Sequence, residues 1–139
     1  MTSIHELRIR SNKYIANLNS NIEQAIIPFE HFLIKFQVDQ WRSNQIGHDG
    51  NNLPEYSSYS KSLKGLTYFN LYDTGSFQNK LTFTMNANLY LFSSTDKKLE
   101  KIKSRVGSEL FGIAPMYRPE AKALTTKAIG INYKKDMGL

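Results

Sequence analysis

The chain has 139 residues, 40% of them hydrophobic and 22% charged, a balance that fits one globular domain and is too apolar for a disordered one. It has no cysteine, which removes thiol catalysis, disulfides and cysteine metal sites together. Its net charge of +6 is uneven: residues 1–96 hold eight Lys/Arg and eight Asp/Glu, whereas residues 97–139 hold ten and four, so the last third reads either as a solvated lysine-rich helix face or as a surface for nucleic acid or an acidic protein.

Residues 1–20 are polar with scattered apolar positions (Ile4, Leu7, Ile9, Tyr14, Ile15, Leu18) and predict a short helix or an arm ahead of a single domain over 21–139. The opening residues lack an apolar signal core, and no apolar run approaches the roughly 20 residues that cross a bilayer. The chain is therefore expected to be made in the cytoplasm and to have no membrane partner.

Ser20-Asn21-Ile22-Glu23 has the spacing of a capping box. Ile22, Ile26, Phe29, Leu33 and Phe36 then recur at spacings of four and three, which is one face of a helix. That helix is expected to run to about Gln45 and end at Gly47, with Trp41 near its end. Pro28 either kinks it or opens a second helix. His48-Asp49-Gly50-Asn51-Asn52 is turn chemistry, and Tyr56, Tyr59 and Leu63 fit a short helix ended by Gly65. From Asn79 to Ser94 the pattern alternates on both sides of Asn86-Ala87-Asn88, which predicts a β-hairpin. Thr95-Asp96 caps a helix from Lys97 to about Val106, and Gly107 stops it. Pro119 starts a last helix, or a helix followed by a strand through Ile129-Gly130-Ile131. The expected fold is α+β: a long N-terminal helix packed on a small antiparallel sheet, with a further helix after the hairpin. A lone hairpin is marginal in water, so helices or further strands must cover it.

Asp73-Thr74-Gly75-Ser76 matches the signature of pepsin-like and retroviral aspartic proteases, which need two carboxylates sharing a proton. One motif in a chain of this length implies a homodimer using Asp73 from each copy. The helical pattern over residues 20–46, the polar Asn70 before the motif and the lack of a glycine-rich flap oppose this reading. Asp73 as a turn cap, with Gly75 supplying an unusual backbone angle, is the simpler alternative. His5, His31 and His48 have no zinc spacing, and His48-Asp49-Gly50-Asn51 lacks the ligands of a calcium loop. No phosphate-binding glycine loop is present, so no metal, cofactor or catalytic residue is assigned. Tyr56, Tyr59, Tyr68 and Tyr72 lie in loop-like sequence and read equally as interface and as core lining. Aromatic residues interleaved with lysines could also stack bases, the chemistry of a basic nucleic-acid-binding module.

From Trp41 onward a series of short motifs keeps its order over about 75 residues. It runs through Asn44-Gln45, Gly50, Pro54, Tyr56-Ser57, Tyr59 and Lys64, then Leu71 with Thr74-Gly75-Ser76-Phe77. It closes with Ser94-Thr95-Asp96-Lys97 and Gly107 to Phe111-Gly112-Ile113. The series resembles small head–tail connector or tail-completion (neck) proteins of tailed bacteriophages, of the type found in Bacteroidetes phages. It departs from them at Ser76, where Asp is expected, and at Ile113, where Leu is usual, and residues 114–139 fall outside it. The resemblance implies a structural virion protein, not an enzyme, that forms or joins a ring at the neck or tail end. Its expected partners are copies of itself and the portal, adaptor or tail-tube proteins, with DNA in passing contact. A ring subunit meets its neighbours through two different surfaces. The residues expected at those contacts are Trp41, Tyr56, Tyr59, Tyr68, Tyr72, Phe77 and Phe111.

Overall fold

A computed structural model describes residues 3–72, 75–86 and 89–139, and it is an α+β fold. Asp73, Thr74, Ala87 and Asn88 lie outside the described residues, so the protease motif and the hairpin turn have no structural account.

The N-terminal segment is a helix rather than an arm. In α1 (Ile4–Ala16) the Ser3 hydroxyl accepts from the Glu6 N–H at 3.1 Å, and the Glu6 carboxylate accepts from the Ser3 N–H at 2.8 Å. The capping box therefore sits here and not at Ser20, which lies inside α2 (Leu18–Ile26). The expected long helix is broken into pieces. Pro28 cannot donate to the α2 ladder, and a 3₁₀ turn (Ile27–Phe29) separates α2 from α3 (Glu30–Arg42). The helix ends at Arg42, short of Gln45, and Gln45 itself takes a positive φ of 53°.

Next come α4 (Ser58–Lys64), closed by Gly65 in the left-handed region, and the single turn α5 (Ser76–Asn79) entered from left-handed Gly75. The hairpin pairs β1 (Leu81–Asn86) with β2 (Leu89–Ser94), with Phe83 opposite Phe92 and Met85 opposite Tyr90. Its inner face carries Leu81, Phe83 and Phe92, and Leu89 and Leu91 point out. The helix after it, α6 (Leu99–Val106), ends at Gly107 as expected. The last element, α7 (Arg118–Met137), is helical throughout, so the alternative strand at Ile129–Ile131 does not form. Lys122, Lys127, Lys134 and Lys135 on α7 are exposed.

Two apolar clusters hold these pieces together. In one, Ile26 and Leu33 meet Phe83 and Phe92 of the hairpin, Ile113, and Ala121 and Ala128 of α7. In the other, Trp41, Leu53, Phe77, Leu81, Val106 and Leu110 meet, and Ile34 and Phe111 touch both. The sheet is thus completed by helices, not by further strands among the described residues.

Buried amides tie α3 to the segment 110–114. The Gln40 Nε2 donates to the Gly112 carbonyl at 3.0 Å, and its Oε1 accepts from the Ala114 N–H at 2.7 Å. Gln37 accepts from the Gly112 N–H at 2.8 Å, and the Trp41 indole donates to the Leu110 carbonyl at 3.0 Å. Gly112 has φ +123°, and a Cβ there would lie 2.8 Å from the His48 Cβ. A side chain at 112 would therefore disrupt both the backbone angle and the packing.

α1 docks on α7 through Tyr14, whose hydroxyl donates to the Asn132 side chain at 2.8 Å, and through Arg10, which donates to the Met137 carbonyl. Tyr14→Phe is expected to lower stability by about 1 kcal/mol. Hydrogen exchange should locate the loss in α1, with the amides of α3 unchanged.

Asp96 anchors the start of α6 from a buried position. Its carboxylate accepts from the Ser76 hydroxyl at 2.5 Å and from the Lys98 N–H at 2.8 Å, with the Lys80 ammonium 3.8 Å away. The Ser76 hydroxyl first, then the Lys98 N–H, hold its pKa below the usual 3.8, and burial opposes them. A depressed carboxylate pKa contributes stability above the unfolded value and loses it as pH falls through the folded value. Unfolding midpoints should therefore decline below about pH 4, and they should decline less steeply in Asp96→Asn.

Candidate docking surface

The sequence-expected contact residues divide into two groups. Trp41 and Phe77 are core: Trp41 is 0% exposed, and its ring centroid lies 5.6 Å from that of Phe77. Phe111 is half-buried behind them, 5.9 Å from Trp41. The interface assignment is corrected for Trp41, which has no surface to offer a partner; Phe77 is mainly core, and it also lines a hollow beside Tyr72 and Lys98. Large aromatic rings gain most by leaving water, and this core takes them. Phe111 contributes mainly packing that bridges the two clusters.

The four tyrosines lie on one stretch of chain, residues 55–72, in front of that core. An isolated bridge between Glu55 and Tyr68 pairs its two ends, and the Tyr56 N–H donates to the Thr67 carbonyl. Tyr68 is half-buried at this bridge, and Tyr59 on α4 is 74% exposed. The Tyr56 hydroxyl donates to the Asn70 side chain at 2.8 Å, and its ring lies 4.7 Å from that of Phe69. The Asn70 side chain also accepts from the Tyr72 N–H at 3.1 Å, which fixes the chain leading to Tyr72.

Cations from three separate elements sit over these rings. Arg42, at the end of α3, stands 4.4 Å from the Tyr72 centroid. Lys64, at the end of α4, stands 5.1 Å from that of Tyr56, and Arg105 on α6 stands 5.3 Å from that of Phe69. The Lys64 ammonium also donates to the Tyr72 carbonyl at 2.9 Å. Two adjoining hollows of about 190 and 380 Å³ open among these groups, and both are lined by Tyr56, Phe69, Leu71, Lys98 and Ile102. Lys98, Lys101, Ile102 and Arg105 are spaced as one helix face, so α6 supplies the wall of this slot.

A second hollow of about 800 Å³ lies between β2 and α7, among Leu89, Tyr90, Ile113, Pro119 and Thr125. The Tyr90 and Thr125 hydroxyls are hydrogen-bonded to each other there. Of its cations, Arg118 is already engaged with the Ile113 and His48 carbonyls. The slot gathers more positive charge, with Lys64, Lys98, Lys101 and Arg105 lining it against Arg118 and Lys122 at the second hollow. Arg42, Lys64, Phe69, Lys101 and Arg105 were not among the expected contact residues. These groups come from separate stretches of chain and meet only through tertiary folding. Among the described residues no three His, Asp or Glu side chains gather as a metal site, and no helix is long and apolar enough to cross a membrane. No protein-family model, curated protein or solved structure matches this chain.

Proposed function

We propose that this protein is an assembly subunit that works by docking, a structural component at the neck or tail end of a tailed-phage particle, joining copies of itself or other neck and tail proteins in a ring. The observation that carries the reading is the distribution of exposed apolar side chains. Tyr59 and Leu63 lie one turn apart on α4, at 74% and 69% exposure. Leu89 and Leu91 share the outer face of β2, and Ile4, Ile9 and Ile15 are exposed along α1. Exposed apolar groups on three separate elements suit a subunit whose contacts differ from one side to the other. The order of motifs from Trp41 to Ile113 supports the placement in a virion.

The test is the composition of the particle. Purified virions should contain the chain in stoichiometric amount, and negative-stain images of the recombinant protein, alone or with its portal or tail partner, should show rings. A persistent monomer absent from virions would overturn the reading.

A further inference from the structure

The slot between residues 55–72 and α6 combines an apolar floor with a basic rim, and that pairing limits what can fill it. Phe69, Leu71 and Ile102 supply the floor. Lys64, Lys98, Lys101 and Arg105 stand around it, with Arg42 beside Tyr72, and all five are exposed. Among the described residues, the acidic groups nearby do not cancel this charge. Glu55 is paired with Lys61 at 2.6 Å, and Asp96 is buried against Ser76. Glu100 falls off the face defined by Lys98, Lys101 and Arg105.

Two macromolecules could answer such a surface, a nucleic acid or an acidic polypeptide. Base recognition on a single strand relies on aromatic faces open for stacking. Here Tyr56, Phe69 and Tyr72 each carry one of the protein's own cations over the ring, and Tyr56 and Phe69 also lie against each other. The rings thus serve to hold positive charge around an apolar recess. We propose that the slot binds an acidic peptide segment of a partner protein, with one apolar side chain seated on Phe69, Leu71 and Ile102 and flanking carboxylates meeting Lys64, Lys101 and Arg105. This inference rests on the docking function proposed above and names the chemistry of one docking partner. The chain's own C-terminal residues, Lys134 to Leu139, carry two lysines against one aspartate and do not have the complementary charge. Residues 1–20 are basic as well, with three Lys/Arg against one Glu, so the proposed occupant is a segment of a different protein.

Fluorescence anisotropy on the full chain tests this with four labelled probes. They are an acidic dodecapeptide with a central Phe, the same peptide with Gly for Phe, a neutral peptide keeping the Phe, and an oligo-dT of matching length. The acidic Phe peptide should bind tightest, and its affinity should fall as salt rises. The double variant Lys101→Glu/Arg105→Glu should weaken it by roughly tenfold or more. The control Lys103→Glu, off the slot face, should leave it unchanged, and circular dichroism should show both variants folded. No binding of the acidic Phe peptide, equal binding of the Gly peptide, or tighter binding of oligo-dT would each overturn the proposal. Rings or virion incorporation without peptide binding would sink this inference and leave the assembly reading standing. Peptide binding by a chain absent from virions would do the opposite.

Discussion

Trp41→Ala is expected to lower the stability of this protein by about 4 kcal/mol. Trp41 is fully buried, with Phe77 and Phe111 against its ring, so its removal leaves a cavity that neither neighbour can close without leaving the second cluster. It also strands the Leu110 carbonyl, which accepts from the indole at 3.0 Å. Trp41→Phe separates the two effects: it keeps most of the ring and loses only the hydrogen bond, at a cost of about 1–2 kcal/mol. Urea unfolding of the three proteins checks this, with unchanged slopes identifying a native-state effect. Equal stability for Trp41→Ala and the parent would mean that position 41 is not core.

Gln40→Leu carries the second large effect, and the comparison with Gln37→Leu makes it specific. Both side chains are fully buried. Gln40 satisfies two backbone groups at once, the Gly112 carbonyl and the Ala114 N–H. Leucine at 40 fits the volume and leaves both groups buried without partners, so a loss of about 3 kcal/mol is expected. Gln37 bonds only the Gly112 N–H, and its Nε2 has no partner among the described residues. Leucine at 37 removes one bond and one unsatisfied donor together, so it should cost about 1 kcal/mol or less. Thermal melts of the two variants should therefore differ by several degrees. If the order were reversed, the 110–114 segment would not be held by Gln40.

Much of this fold was legible in the residues. The hairpin over 81–94 followed from alternation, and Gly65 and Gly107 ended their helices where the pattern placed them. The breaks were harder. Pro28 announced a discontinuity, but only packing decides that α2 stops at Ile26 and α3 starts at Glu30. The true capping box at Ser3 lay in a segment with little apolar periodicity, so Ser20-Glu23, directly before the clear periodic run, drew the assignment. The strand read at Ile129–Ile131 failed because two isoleucines around a glycine fit a helix equally well once Ala121 and Ala128 pack against the core.

The candidate surface was legible only in part. Tyr56, Tyr59 and Tyr72 do reach the surface, at least in part, because they follow turn residues and α4 buries none of its side chains. Trp41 and Phe77 carry the same aromatic signature and are buried, because type alone does not distinguish a core anchor from an interface anchor. Their cation partners could not be read at all. Arg42, Lys64 and Arg105 stand far apart in the chain, and only the fold brings them over Tyr72, Tyr56 and Phe69.

If the protein works by docking, the face built from residues 55–72 and α6 is covered in the assembled particle. Amine acetylation, read by mass spectrometry on the free chain and on native purified particles, tests it most directly. Lys64 and Lys101 should react readily in the free chain and be protected in the particle, with Lys103 on the other side of α6 reactive in both. Equal labelling of Lys64 and Lys101 in both states would contradict the claim.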